Sequence, residues 1–491
     1  MKYGHAVKLL SGPLAFLLIL LFVDLEPGNF NTTKMAAITA WVAIWWLTEA
    51  THLSVTSLLP FLLIPMLGVA DSKMVAAQYM DQTIFLFIGG FLLAFAIERW
   101  NLHKRIALGI LSRLGNSPAT LLAGVMITAY LISMWISNTA TTMMLISAVL
   151  AVILEAEDQS LMPRHKDQFA KAVLIGLAYA ASIGGMATLV GTPPNMVFYK
   201  TYLDTYPDAN NMSFFQWFLV AAPVSLCLLI AAFFILKFIF LRGARAIRFD
   251  KSYFTAAYQK LGPMTFEEKT VSVVFGIAAV LWFTRTDIDF GSFKMQGWDR
   301  IFGSHSKFIT DSTVAIAMAF ILFLIPSRNE KGQNLLSWKE GSKLPFGIIL
   351  LFGSGFALAK GFEESGLSNW LAGQLLFLEH ANTIVVIIGI CLIVCVISEF
   401  ASNVASIQLV LPILISIQKA TGIPPLMLLV PATLAASLGF MLPVATAPNT
   451  IVFGSGRIRS ADMRNAGSLL DLAGILLITL FSALIGSLIW K

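Results

Sequence analysis

Two apolar stretches of this chain, 118–154 and 381–417, are each too long to be one helix crossing a bilayer, since the hydrocarbon core takes about 20 helical residues. Each carries Ser-Asn near its middle: S-M-W-I-S-N-T-A-T-T over 133–142, and S-E-F-A-S-N-V-A-S-I-Q over 398–408. Each therefore reads as a helical hairpin that goes into the membrane, turns at Ser-Asn and leaves on its own side. Downstream of each hairpin is a second polar break, G-T-P-P-N at 191–195 and A-T-A-P-N at 445–449. At membrane depth a polar, proline-broken backbone survives only where it lines a cavity or packs inside protein. Matched interruptions in two halves of a chain point to the binding site of a transporter.

The surroundings are those of a polytopic membrane protein. Of 491 residues, 57% are hydrophobic and 12% charged, where soluble domains carry about a quarter charged residues. Apolar runs at 9–23, 35–50, 52–69, 83–97, 169–189, 214–241, 265–284, 308–326, 344–362, 425–443 and 466–490 fit further spans. The first is followed by Asp24-Leu25-Glu26-Pro27 and no small-residue cleavage site, so it reads as a retained helix, not a signal peptide. With the N-terminus cytoplasmic and both hairpins returning, 23 of the 33 Lys and Arg fall in cytoplasmic segments, the expected positive-inside bias. That bias accounts for the net charge of +6 without a nucleic-acid partner. Cys227, Cys391 and Cys395 lie inside apolar runs and read as buried, inert thiols. The sequence contains no phosphate-binding G-x-x-x-x-G-K-[ST] loop and no H-E-x-x-H, so nothing suggests an enzyme or an ATP-driven pump.

The chain repeats itself. Gly90, Phe91, Ala94 and Glu98 match Gly355, Phe356, Ala359 and Glu363 at an offset of 265, and Ser137-Asn138 match Ser402-Asn403 at the same offset. Thr192, Pro194 and Asn195 match Thr446, Pro448 and Asn449 at 254. On the assigned topology the first hairpin comes from the cytoplasm and the second from outside, so the halves are inverted repeats. The expected division is N-terminal scaffold spans in 1–82 and a first repeat core in 83–213, with its hairpin at 118–154 and broken helix at 169–205. Linking spans with a basic amphipathic segment (242–264) occupy 214–343. The second core is 344–465, with its hairpin at 381–417 and broken helix at 425–453, and a last span fills 466–491.

A hairpin tip beside a broken helix exposes helix N-termini, which suit anions, and unwound carbonyls, which suit a small cation. Ser, Thr and Asn side chains serve either. No Lys, Arg, Asp, Glu or His lies in 133–142, 182–198 or 433–453, and 398–408 holds only Glu399. A bound anion would therefore be neutralised by co-bound cations and helix ends, not by an arginine clamp. Glu399 is either a proton relay or a group paired near the tip. Gly89, Gly90, Gly353 and Gly355 read as close helix packing.

At these residues the sequence resembles the divalent anion:sodium symporters, the INDY-like family of sodium-coupled dicarboxylate, citrate and sulfate transporters. The resemblance rests on Ser137-Asn138-Thr139 with 191–195, and on Ser402-Asn403 with 441–449. It implies an all-α fold of about eleven transmembrane helices plus two re-entrant hairpins, arranged as scaffold and transport domains in a homodimer. It implies elevator-type alternating access driven by sodium, with no other cofactor. One sodium site would use Ser133, Ser137, Asn138 and Gly191, and the other Ser398, Ala401, Asn403 and Ala445. Substrate would meet Ser137, Asn138, Thr139, Ser402, Asn403, Val404, Thr446 and Ala447. Two positions depart from the family pattern: Val404 replaces a threonine and Ala447 a proline. The expected activity is sodium-coupled symport of C4-dicarboxylates. Sulfate or tricarboxylate symport and sodium-independent exchange are the alternatives.

Overall fold

Caps and breaks set the helix ends. The computed structural model describes residues 2–114, 117–159, 163–207, 212–242, 252–289 and 294–489. The N-terminal part runs α1 (Lys2–Phe22), α2 (Phe30–Thr48), the short α3 (Leu53–Thr56) and α4 (Leu59–Met66), α5 (Ser72–Tyr79), α6 (Gln82–Arg99) and α7 (Leu102–Leu114). Asp71 and Asp81 start α5 and α6, each accepting an N–H of the first turn. The first hairpin is α8 (Pro118–Ser133) and α9 (Asn138–Gln159), and the first broken helix is α10 (Pro163–Met186) and α11 (Pro193–Thr205).

Next come α12 (Phe214–Phe240), α13 (Ser252–Lys260), α14 (Phe266–Phe283), α15 (Asp311–Leu324) and α16 (Trp338–Gly341). Reciprocal capping boxes open α12 (Ser213 with Gln216) and α14 (Thr265 with Glu268). The second half holds α17 (Phe346–Glu364) and α18 (Leu367–Gln374), then the hairpin α19 (Thr383–Phe400) and α20 (Asn403–Thr421). It closes with the broken pair α21 (Pro425–Ala435) and α22 (Ala447–Phe453), and α23 (Ser460–Ile489). The polar loop after α14 adds a two-residue antiparallel pair, β1 (Ile288–Asp289) with β2 (Lys294–Met295), and a 3-10 segment, Trp298–Phe308. Part of the amphipathic segment expected at 242–264 lies outside the described residues. Its described portion forms α13, which packs on α7.

The protein is nearly all helical and multi-pass. Among the described residues, eight helices are long and apolar enough to cross a membrane, or nine if Trp298–Phe308 and Asp311–Leu324 form one bent span. Of the remaining expected spans, α2 and α14 are unbroken helices of 19 and 18 residues, and others are shorter, such as Leu53–Met66 and Pro425–Ala435. At the centre is α10, which is buried throughout 169–186. It is sheathed by both arms of the first hairpin, by α12 and by α22. Both arms of the second hairpin pack against α21 in the same way. A hairpin whose two arms share one neighbour accounts for why its break is tolerated: the unwound residues are covered by protein. Three of the four glycines expected to permit close packing do so, while a Cβ on Gly90 would meet Val190 only at 3.4 Å, an ordinary contact. A Cβ on Gly89 would fall 2.5 Å from Ala315 Cβ, one on Gly353 2.4 Å from the Tyr79 ring, and one on Gly355 2.4 Å from the Gln408 amide carbon.

Candidate functional site

In the first repeat the chain unwinds between Ser133 and Asn138, and again between Met186 and Pro193. Ser133 donates its hydroxyl to Asn138 Oδ1 at 2.7 Å. Thr188, inside the second break, donates to the Met134 carbonyl at the hairpin tip at 2.5 Å. Gly185 and Gly191 close the gap. A Cβ on Gly185 would lie 2.4 Å from Asn138 Oδ1, and one on Gly191 would lie 2.5 Å from the Gly185 carbonyl and 3.0 Å from the Met134 carbonyl. Hairpin tip and broken helix thus meet at a cluster of neutral oxygens that any larger residue would fill.

The second half of the chain holds a similar arrangement. Ser398 Oγ lies 2.8 Å from Asn403 Oδ1 and 2.6 Å from the Ala436 carbonyl. A Cβ on Gly439 would sit 3.4 Å from Ala445, 3.5 Å from Thr446 and 3.6 Å from the Ser398 carbonyl. Thr446 caps α22, its hydroxyl accepting the Asn449 N–H at 3.3 Å. Of the residues expected to hold the two sodium ions, Ser133, Asn138 and Gly191 meet at the first tip, and Ser398, Asn403 and Ala445 at the second. Two are not tied to these clusters: the Ser137 hydroxyl accepts the Ala140 N–H at 3.3 Å as a cap for α9, and the Ala401 N–H closes the end of α19 on the Ile397 carbonyl.

Exposure separates the two residue sets. Ser133 and Ser398 are wholly buried, and Gly191, Ala401 and Ala445 are buried. Ser137, Asn138, Ser402, Asn403 and Thr446 are half-buried, and Thr139 and Ala447 are exposed. The residues expected to meet substrate thus rim the clusters that would hold cations, and the two asparagines belong to both. Val404 differs from the rest of its set: its side chain is buried. Packing also crosses the halves. Helix α22 of the second repeat lies on α9 and α10, while α11 of the first lies on α20 and α21.

Three features go beyond what the sequence reading assigned. Asn195 and Asn449 act as clasps on the broken helices. Asn195 Nδ2 donates to the carbonyls of Gly185 (3.0 Å) and Thr188 (2.7 Å), and Asn449 Nδ2 to those of Gly439 (3.0 Å) and Leu442 (3.0 Å). The Thr188 and Leu442 carbonyls also accept the Gly191 and Ala445 N–H groups, at 3.3 and 3.2 Å, whereas the Gly185 and Gly439 carbonyls depend on the asparagines, and an unmet buried carbonyl is costly. The motif spacing gave the signal, since each asparagine follows its carbonyls by ten and seven residues in both copies. Trp135 at the first tip anchors the hairpin to α12 and α14, its ring parallel to those of Phe214 and Trp282. Finally, Glu399 is a paired group. Its two oxygens accept the N–H groups of Met441 (2.7 Å) and Leu442 (2.9 Å), inside the second break.

Among the described residues, no three His, Cys, Asp or Glu gather as metal ligands would. The donors at both clusters are hydroxyl, amide and carbonyl oxygens, which suit a hard cation and not a soft, thiolate-preferring one.

Known proteins share this sequence and fold. A family model described as the sodium:sulfate symporter transmembrane region matches residues 5–491. The sodium-dependent dicarboxylate transporter SdcS of Staphylococcus saprophyticus is 38% identical over 482 residues, covering 97% of this chain and 90% of that protein. SdcS of Staphylococcus aureus is 38% identical over 488 residues, with the same coverage of 97% and 90%. The crystal structure of the YdaH transporter of Alcanivorax borkumensis aligns with a TM-score of 0.53 at 14% identity, covering 85% of this chain and 90% of that one. At that identity the likeness speaks for the fold alone.

Proposed function

The chain belongs to the sodium:sulfate symporter transmembrane family, and from that premise we propose that it is a sodium-coupled symporter of C4-dicarboxylates such as succinate, malate or fumarate. It is a multi-pass membrane transporter and not an enzyme. The observation that carries the substrate reading is the pair of rimmed clusters. Two neutral oxygen clusters stand one in each repeat, each with a Ser-Asn rim at the N-terminus of a helix, α9 and α20. A dicarboxylate has two anionic ends for two such rims. The 38% identical relatives are named as sodium-dependent dicarboxylate transporters, which supports the same choice.

The order of events follows from the charges. The site has no basic side chain, so a dianion entering first would lose its hydration without compensation. Sodium binds first, at Ser133, Asn138 and Gly191 and at Ser398, Ala401, Asn403 and Ala445. The dianion then binds above at Asn138, Thr139, Asn403 and Thr446, held by helix N-termini and the nearby cations. The loaded core of the two repeats, 83–213 and 344–465, moves as a unit against the scaffold spans of a homodimer. The N-terminus lies on the cytoplasmic side, as the Lys and Arg distribution requires.

The experiment is radiolabelled succinate uptake into proteoliposomes, with unlabelled succinate, citrate and sulfate as competitors. Inhibition by succinate but not by sulfate or citrate is the expected result. Stronger inhibition by citrate or sulfate would move the substrate assignment within the family.

A further inference from the structure

Where α12 ends, its last two turns form one wall of a cavity of about 740 Å³. The start of α8 and Leu469 of α23 form the others, and both helices pack on α12. The cavity has two characters. Phe234, Phe238 and Leu469 make it apolar along the span, and all three are exposed. Such side chains on a spanning helix face acyl chains, which are as apolar as they are. The end of the cavity is basic: Lys237 and Arg242 both line it, and no acidic residue does.

Lysine and arginine at a span end ordinarily reach past the apolar surface into water. Here both lie against it. The Arg242 guanidinium is 3.3 Å from the Phe238 ring centre, and the Lys237 ammonium is 5.6 and 5.9 Å from those of Phe233 and Phe234. Cation and ring attract at these distances, so both charges are held at the cavity wall. Among the described residues neither has a carboxylate partner. The nine residues after Arg242, 243–251, hold three basic residues and one acidic, so the adjoining chain supplies no net counter-charge. The start of α8 adds the positive end of a helix.

We propose that this cavity binds one anionic phospholipid. The phosphate meets Lys237 and Arg242, and the acyl chains lie along Phe234, Phe238 and Leu469. A free phosphate would gain nothing from the apolar walls, so the lipid is the occupant. The Lys and Arg distribution puts this end of α12 on the cytoplasmic side, where acidic headgroups attract basic groups beside a span.

The test is native mass spectrometry of the purified, delipidated full chain, titrated with phosphatidylglycerol and with phosphatidylcholine of the same acyl chains. Wild type should bind one phosphatidylglycerol at least about tenfold more tightly than phosphatidylcholine, since a basic group at the headgroups adds about fivefold. Lys237→Gln combined with Arg242→Gln should abolish that preference. Lys339→Gln combined with Lys343→Gln removes the same charge from exposed positions outside the cavity and should leave it intact. Ala119 lines the cavity from α8. Ala119→Phe fills it without changing charge and should weaken phosphatidylglycerol binding about tenfold; this variant decides if the Lys237 and Arg242 double variant does not fold. Equal binding of the two lipids, equal loss in the two double variants, or unchanged binding in Ala119→Phe overturns the proposal. So does displacement of the lipid by millimolar glycerol phosphate, which would make this a site for small anions. None of these readouts depends on what the protein transports.

Discussion

Gly185 and Gly439 hold the same register in the two repeats, 254 residues apart, yet their surroundings predict opposite responses to alanine. At Gly185 the new Cβ would lie 2.4 Å from Asn138 Oδ1 and 3.1 Å from its Cγ and Nδ2. Ordinary contact begins about 1 Å further out, so the amide must retreat by that distance. It would leave the position where Ser133 holds it at 2.7 Å. Overpacking of this kind costs about 1–3 kcal/mol, which amounts to about 5- to 150-fold in a coupled binding affinity. At Gly439 the nearest atoms, Ala445 Cβ at 3.4 Å and Thr446 Cγ2 at 3.5 Å, are already at contact distance. Gly439→Ala should therefore leave sodium half-saturation unchanged, while Gly185→Ala raises it by the factor above. The assay is sodium titration of succinate uptake in proteoliposomes, with thermal unfolding of the purified variants as the control for folding. Equal sensitivity at the two positions, or a normal sodium titration for Gly185→Ala, would refute the geometric reasoning.

Alanine at Asn138 or at Asn403 should each reduce sodium-dependent uptake at least about tenfold without loss of monodisperse protein, because each amide serves both a cation cluster and the open rim; a variant with normal uptake would remove that asparagine from the site. Asn195→Asp or Asn449→Asp replaces a double donor with an acceptor facing two carbonyls, of which the Gly185 or Gly439 carbonyl is left unmet at a cost of about 1–3 kcal/mol; a clear fall in thermal unfolding temperature is expected, and an unchanged one would dismiss the clasp. In the short α16, Glu340 pairs with Arg99 at 2.9 Å and accepts the Ser337 hydroxyl. Burial raises its carboxyl, but the Ser337 hydroxyl and the Arg99 charge outweigh this and hold it below the ordinary value. Its contribution is thus complete above the unfolded carboxylate pKa of about 4.3 and is lost as pH falls through the lower folded value. Hydrogen-exchange protection of 327–343 should fall on acidification, and Glu340→Gln should show the same loss at neutral pH; protection insensitive to both would rule this out.

The spans, both hairpin tips and both proline breaks were legible because each is a departure from apolar periodicity that a membrane does not tolerate by accident. The end of α21 was not. The apolar run reads on to 443, but the helix stops at Ala435 and the chain continues unwound through Leu438 and Phe440, both wholly buried. Hydropathy reports burial, and here irregular backbone is buried in protein as deeply as helix. The short α5 and α18 were missed for the opposite reason, being too brief to show a period. The role of Glu399 was open because its partners, the N–H groups of Met441 and Leu442, lie 42 and 43 residues away in sequence. Val404 illustrates the limit of motif transfer: its register matches Thr139 at the offset of 265, yet Thr139 is exposed at the rim and Val404 is buried.

The central claim is that two neutral oxygen clusters make anion binding depend on sodium. It is tested most directly by radiolabelled succinate uptake into proteoliposomes under an inward sodium gradient, with potassium replacing sodium in the control. The account predicts accumulation with sodium and none with potassium. Equal uptake in both, or uptake only in exchange for internal dicarboxylate, would contradict it.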